Sequence, residues 1–153
     1  MTKTGVTIEG TENVIRKLRA LGQAGEQEGA RAVRATAEKI RTDAVRAIQR
    51  GPATGRTYER GSGQNLSASH TASAPGEAPM TDTGNLASSG RVSHEGLGAD
   101  IIFQAPYAKW LEYGTMKMGE RPFLVPALKS NQRHFSDQLQ RAISRAADKA
   151  DRS

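Results

Sequence analysis

Residues 105–128, Ala-Pro-Tyr-Ala-Lys-Trp-Leu-Glu-Tyr-Gly-Thr-Met-Lys-Met-Gly-Glu-Arg-Pro-Phe-Leu-Val-Pro-Ala-Leu, restrict the fold more than any other part of the chain. They hold the only Trp, two of the three Tyr, one of the three Phe and three of the six Pro. A fully buried ring removes about 150–250 Å² from water. With aromatics at 5% of the chain, this stretch is expected to seed the core. Pro106 suits a helix N1 position, where its missing N–H costs nothing. Tyr107, Trp110 and Leu111 then share one helical face. Gly114 is expected to stop this short helix by taking a positive φ, and Gly114 to Arg121 reads as a turn or loop. Pro122 forces its predecessors out of helical geometry. Phe123 and Leu124 enter a second helix, with Pro126 in its first turn. Residue types alone describe a buried structural corner; the functional reading is a conformational joint beside an assembly interface.

A chain of 153 residues is expected to form a single domain, 1–153. Apolar residues make up 36% and the mean hydropathy is −0.61, which predicts one modest core plus a polar segment that needs neighbours. There is no Cys, which excludes disulfides and thiolate metal sites and fits a reducing cytoplasm. The first residues show no apolar signal-peptide run, and no stretch reaches membrane-span length, so no membrane partner is expected. The net charge is +6, a surface that suits nucleic acid. The excess sits on two helical regions: nine basic against five acidic residues in Glu12–Arg50, and six against three in Leu128–Ser153. Interleaved this way, the charges read as solvated helix faces.

In chain order, Gly5 to Ile8 alternates weakly as a short strand. Thr11 can cap a helix whose stripe is Val14, Ile15, Leu18 and Leu21, interrupted by Gly22 and Gly25. A longer helix, about Glu26 to Gln49, repeats Val33, Ala37, Ile40, Ala44 and Ile48 at amphipathic spacing. Gly51-Pro52 ends it. Residues 51–90 are rich in Gly, Ser, Thr, Ala and Pro and are read as a flexible insertion or arm. The candidate assembly residues within it are Tyr58, Leu66, Pro75, Pro79 and Leu86. Arg56–Arg60 and Asn65–Thr71 flank Gly61-Ser-Gly as a possible hairpin. Asp82 or Thr83 could cap a short turn around Leu86. Arg91–His94 and Ala99–Gln104 read as strands joined by Glu95-Gly-Leu-Gly. A last helix, about Val125 to Asp148, carries Leu128, Phe135, Leu139, Ala142, Ile143 and Ala146, and residues 149–153 are expected to fray. The fold class is α+β: long amphipathic helices packed on a small antiparallel sheet, with a long polar loop or hairpin arm.

Catalytic chemistry is poorly supplied. His70, His94 and His134 form no HxxxH or HExxH pair. Asp82-Thr-Gly matches the aspartic-protease loop in letters only, since that chemistry needs two facing carboxylates. No Gly-Lys-Ser or Gly-Lys-Thr loop cradles phosphate. Glu112, three residues after Lys109, reads as an ion-pair or capping residue. No catalytic, cofactor-binding or metal residue is expected, and the chain is not expected to be an enzyme.

Tyr107-Ala-Lys-Trp-Leu-Glu-Tyr-Gly-Thr115 followed by Arg121-Pro-Phe-Leu-Val-Pro-Ala-Leu128, with Ser73-Ala-Pro-Gly-Glu-Ala-Pro79 and Asp82-Thr-Gly-Asn-Leu86 upstream, resembles a family of tailed-phage neck and tail-completion proteins. This family is similar in role to the minor tail protein Z of lambdoid siphophages. Gly119-Glu120 departs from the Ala that commonly precedes Arg-Pro-Phe there. The resemblance implies a structural virion protein in the head–tail connector: a ring homo-oligomer through which DNA passes. It implies contact with head-closure or connector proteins and with tail-terminator or tail-tube proteins, non-specific proximity to DNA, and residence in the host cytoplasm during assembly. The fold and assembly motif comprises Tyr107, Trp110, Leu111, Glu112, Gly114, Thr115, Arg121, Pro122, Phe123 and Pro126. The alternative reading is a small basic nucleic-acid-binding protein.

Overall fold

The computed structural model describes residues 4–9, 12–60 and 68–152. The elements follow as β1 (Thr4–Glu9), α1 (Glu12–Ala20), α2 (Gly22–Arg50), β2 (Thr57–Arg60), β3 (Ala68–Thr71), α3 (Asn85–Ser88), β4 (Gly90–Glu95), β5 (Gly98–Phe103), α4 (Ala108–Tyr113) and α5 (Leu124–Asp151). The α+β class is as the sequence indicates: two long helices lie on a three-stranded antiparallel sheet of order β1-β5-β4.

The sheet follows period-two logic. On β5, Ala99, Ile101 and Phe103 are buried and Asp100 is exposed. Val6 and Val92 stand opposite Ile101, and Thr4 and Gly90 opposite Phe103. This face lies under α2. The other face is wet, where the Thr7 hydroxyl donates to the Asp100 carboxylate at 2.7 Å. Gly96, at φ +54°, supplies the positive φ that a two-residue β4–β5 turn requires at its first position. Gly90 has no side chain because the Phe103 ring lies where a Cβ would meet it at 3.0 Å.

Helix α2 buries Ala32, Val33, Ala37, Ile40, Ala44 and Ile48. Gly25 is inside this helix rather than a break before it; the break is Gly22, at φ +64°. Gly29 is a contact point, since a Cβ there would sit 2.7 Å from both Leu18 and Leu97 side chains. Helix α5 buries Leu124, Ala127, Leu139, Ala142 and Ala146 and runs antiparallel along α2. Asp43 faces Asn131 at one end, and Glu28 faces Arg145 and Lys149 at the other. The helix extends to Asp151, and Lys149 pairs with Glu28. Phe103 and Phe123 meet edge to face, 4.9 Å apart at 80°, a contact worth about 0.5–1.5 kcal/mol beyond area burial.

Thr11, the expected cap of α1, lies outside the described residues, as does the Gly61-Ser-Gly turn. Strands β2 and β3 do pair antiparallel, with Tyr58 opposite His70. Neither Asp82 nor Thr83 caps α3 through its side chain. The N-cap is Gly84, at φ +78°, and its N–H donates to the Thr81 hydroxyl at 2.9 Å. No helix among the described residues is long and apolar enough to cross a membrane.

Candidate assembly site at the α4–α5 corner

The chain leaves β5 through Ala105, whose carbonyl accepts from the Ala108 N–H at 3.0 Å. Pro106 therefore stands in a turn before α4, not at its N1 position. Ala108 and Glu112 are the buried residues of the helix, and Leu111 is half-buried. The expected inner stripe is thus rotated. Tyr107, Trp110 and Tyr113 are 36%, 56% and 60% exposed. Small Ala108 lets the helix approach the body closely, and that orientation is the one that delivers Glu112 inward.

Glu112 does what Lys109 hinted at only indirectly. It caps a different helix. Its Oε2 accepts from the Phe123 and Leu124 N–H groups, both at 3.0 Å, and its Oε1 accepts from Val125 N–H at 2.8 Å. A helix leaves its first N–H groups without intrahelical partners. Here one carboxylate takes three of them, and Pro126 has none to offer. The negative charge also sits at the positive end of the α5 dipole. Hydrogen bonds to a charged group contribute about 1.5–3 kcal/mol each, so the α4–α5 angle is set mainly by this residue.

Between the helices the chain turns tightly. Gly114 has φ +72°, and a Cβ there would lie 2.9 Å from the Met118 carbonyl oxygen. Thr115 N–H donates to Met118 O at 2.8 Å, and the Thr115 hydroxyl accepts from Met118 N–H at 3.1 Å. This leaves Met116 fully exposed at the tip. The Arg121 N–H returns to the Leu111 carbonyl at 2.6 Å. Pro122 is half-buried and delivers buried Phe123 into the core.

The upstream motif docks on this corner. Arg121 Nε donates to the Ser73 carbonyl at 3.0 Å, and Gly76 N–H donates to the Glu120 carbonyl at 2.8 Å. Gly119, the departure from the family pattern, packs on Pro75: a Cβ there would come within 2.8 Å of the proline ring. Glu77 closes the loop by accepting from Ala74 N–H, Thr54 N–H and the Thr54 hydroxyl. The Thr54 hydroxyl first, then those amides, hold its carboxyl below the usual range. Pro79 is buried, Leu86 is 5% exposed, and Thr81 N–H donates to Ile48 O at the end of α2. The expected arm is therefore two pieces. Pro75, Pro79 and Leu86 belong to a docked half, Tyr58 (53% exposed) to the β2–β3 hairpin, and Leu66 lies outside the described residues.

A cleft of about 350 Å³ opens between the docked loop and α4, with His70, Thr81, Asp82, Tyr107 and Arg121 on its walls. His70 Nδ1 lies 3.7 Å from the Asp82 carboxylate. Among the described residues no group of His, Asp and Glu is arranged to hold a metal ion.

At the opposite end of the helix pair is a site the sequence reading missed. Glu28 is buried and receives Lys149 Nζ at 2.6 Å, Arg145 Nε at 2.9 Å and Arg31 Nη1 at 3.3 Å. The Lys149 hydrogen bond, aided by Arg145 and the charge of Arg31, lowers its pKa against the opposing effect of burial. Stepping back by four from buried Thr36 and Ala32 reaches Glu28, a signal the chosen Val33–Ile48 stripe passed over. Asp43 is similar. Burial alone would raise its pKa, but hydrogen bonds from Lys39 and Asn131, with the charges of Lys39 and Arg46, outweigh that and lower it.

No curated protein and no solved structure matches the chain. A family model does, over residues 12–114, from the start of α1 to the glycine that ends α4. The Arg121–Leu128 motif lies beyond that span. The matched family is described as "Bacteriophage HK97-gp10, putative tail-component", and with two thirds of its length matched, the chain belongs to this HK97-gp10-like family of structural phage tail components.

Proposed function

We propose that the protein is a subunit of the head–tail connector, a neck or tail-completion ring through which DNA passes. Its neighbours would be copies of itself, a head-closure or connector protein on one side, and a tail-terminator or tail-tube protein on the other. Family membership supports a structural role in the virion tail. The observation that carries the finer reading is the β2–β3 hairpin. Its strands pair with each other, Thr57 with Thr71 through Arg60 with Ala68, but join neither edge of the main sheet. An isolated two-stranded ribbon is marginal in water, and its open edges offer backbone donors and acceptors to another chain. On this reading the hairpin gains its order from a neighbour, and the docked loop anchors it to the α4–α5 corner.

Light scattering combined with hydrogen exchange tests this. The expected result is fast exchange at residues 57–60 and 68–71 in the free subunit and slow exchange there in the assembled ring, with residues 73–90 protected in both. Slow exchange at 57–60 and 68–71 in a compact free monomer would sink the proposal. Tight, salt-sensitive duplex DNA binding by that monomer would replace it with the nucleic-acid-binding reading.

A further inference from the structure

The three Phe and the three Tyr are sorted to opposite environments. Phe103 and Phe123 are buried and Phe135 is half-buried, whereas Tyr58, Tyr107 and Tyr113 are exposed together with Trp110. Three of those exposed rings lie on α4 and its cap, beside fully exposed Met116. A contiguous exposed apolar surface marks an interaction site, and Trp and Tyr are the residues that dominate contact energies.

The same chain carries a surface of matching chemistry on the second half of α5, away from α4. A shallow groove on α5 is lined by Asp137, Gln140, Arg141, Ser144 and Arg145. Arg141 is exposed and makes no hydrogen bond or ion pair among the described residues. Arg145 commits Nε to Glu28 and is still 45% exposed. Guanidinium groups stack on aromatic faces, with Trp the strongest partner. Asp137 supplies an acceptor for the Trp indole N–H and a countercharge for Lys109, which neighbours Trp110 on α4.

We infer that the aromatic face of α4 (Tyr107, Trp110, Tyr113) seats in the Asp137–Arg145 groove of a second copy, head to tail. Distance enforces the second copy. Arg141 lies 17 residues beyond Leu124, about 26 Å along the helix, while Glu112 pins α4 to the start of α5. Two unlike, separated surfaces of one subunit make a heterologous contact, which closes into a ring when its rotation allows. The inference rests on the ring reading and assigns that ring its knob and its socket.

The absence of cysteine gives a direct test. Full-length Tyr113→Cys and Gln140→Cys proteins are mixed under mild oxidation, with exposed Gln49→Cys replacing Gln140→Cys as the control. The contact predicts a mixed disulfide dimer formed about tenfold faster than with the control, because association raises the effective concentration. The chain carrying both substitutions should give a ladder ending in one closed species. A 113–140 yield no higher than the control overturns the contact. So does preferential pairing of Tyr113→Cys with itself, which would mean a two-fold contact. Loss of the crosslink on adding a short DNA duplex would assign the groove to DNA and also overturn it. Scattering of the wild-type protein separates the two failures: a ring without the crosslink refutes only this contact, whereas no self-association and no crosslink refutes the ring as well.

Discussion

The two ends of the α2–α5 pair handle charge and apolar surface in opposite ways. At the α5 N-terminus, a carboxylate is buried against three backbone amides, and the large rings of α4 are turned out to water. At the far end, a carboxylate is buried against three cations, and the buried positions of the two helices there include the small residues Gly25, Gly29, Ala142 and Ala146. The first arrangement has no mobile partner. Amides of a formed helix cannot move away, so losing Glu112 strands them. The second has mobile partners, since Arg145 and Lys149 are about half exposed and can turn to water. One buried acid therefore holds up the fold, whereas the other joins two helices whose cations remain available outside.

The most sensitive position is Glu112. Replacement by Ala is expected to cost about 3 kcal/mol or more, because buried N–H groups lose their acceptor; urea unfolding checks this. Glu112→Gln should recover roughly half, since one oxygen still accepts. Gly29→Val tests the tight end, where the new Cβ meets Leu18 and Leu97. The expected loss is about 1–3 kcal/mol from overpacking, read as a lowered urea midpoint with unchanged slope.

A smaller effect distinguishes the far-end acid. Glu28 and Asp43 have folded-state pKa values below their ordinary 4.5 and 3.8. Their contribution is thus complete above the ordinary range and is lost as pH falls through the depressed folded values. Thermal midpoints should drop on acidification, and Glu28→Gln should flatten that drop while costing about 1 kcal/mol at neutral pH. The smallest effect belongs to the exposed rings. Trp110→Ala and Tyr113→Ala should change monomer stability by about 0.5 kcal/mol or less, measured by the same urea titration. A loss of several kcal/mol would mean that these rings support the fold rather than a contact.

Much of this architecture was legible from local pattern. The Val33–Ile48 stripe of α2, the Gly-containing β4–β5 turn and the β2–β3 pairing each depend on neighbours in sequence. Gly114 was legible because a positive φ leaves little choice of residue. What escaped was set by partners far along the chain. Strand β1 lies on β5, with Thr4 opposite Phe103, and nothing local in Gly5–Ile8 specifies that. The inner face of α4 was misassigned because ring size favoured Tyr107 and Trp110, whereas the need of α5 for an acceptor decided it. Glu28 escaped because an acid within an apolar stripe makes sense only once α5 brings Arg145 and Lys149 alongside. Glu112 read as an ion-pair or capping residue; it is a cap, but of α5, through backbone amides 11 to 13 residues on.

The Glu112 anchorage also makes α5 a lever. At 28 residues the helix is about 42 Å long, so a rotation of about 5° at its anchored end moves the far end by about 4 Å. In the proposed ring, closed from the α4 face to the α5 groove, that small angle would fix how many subunits complete the circle. Subunit number would then be decided at a single side chain, and a loosened pivot such as Glu112→Gln should yield rings of mixed size, countable in negative-stain images. Rings of one size from that variant would place the closing angle elsewhere in the subunit.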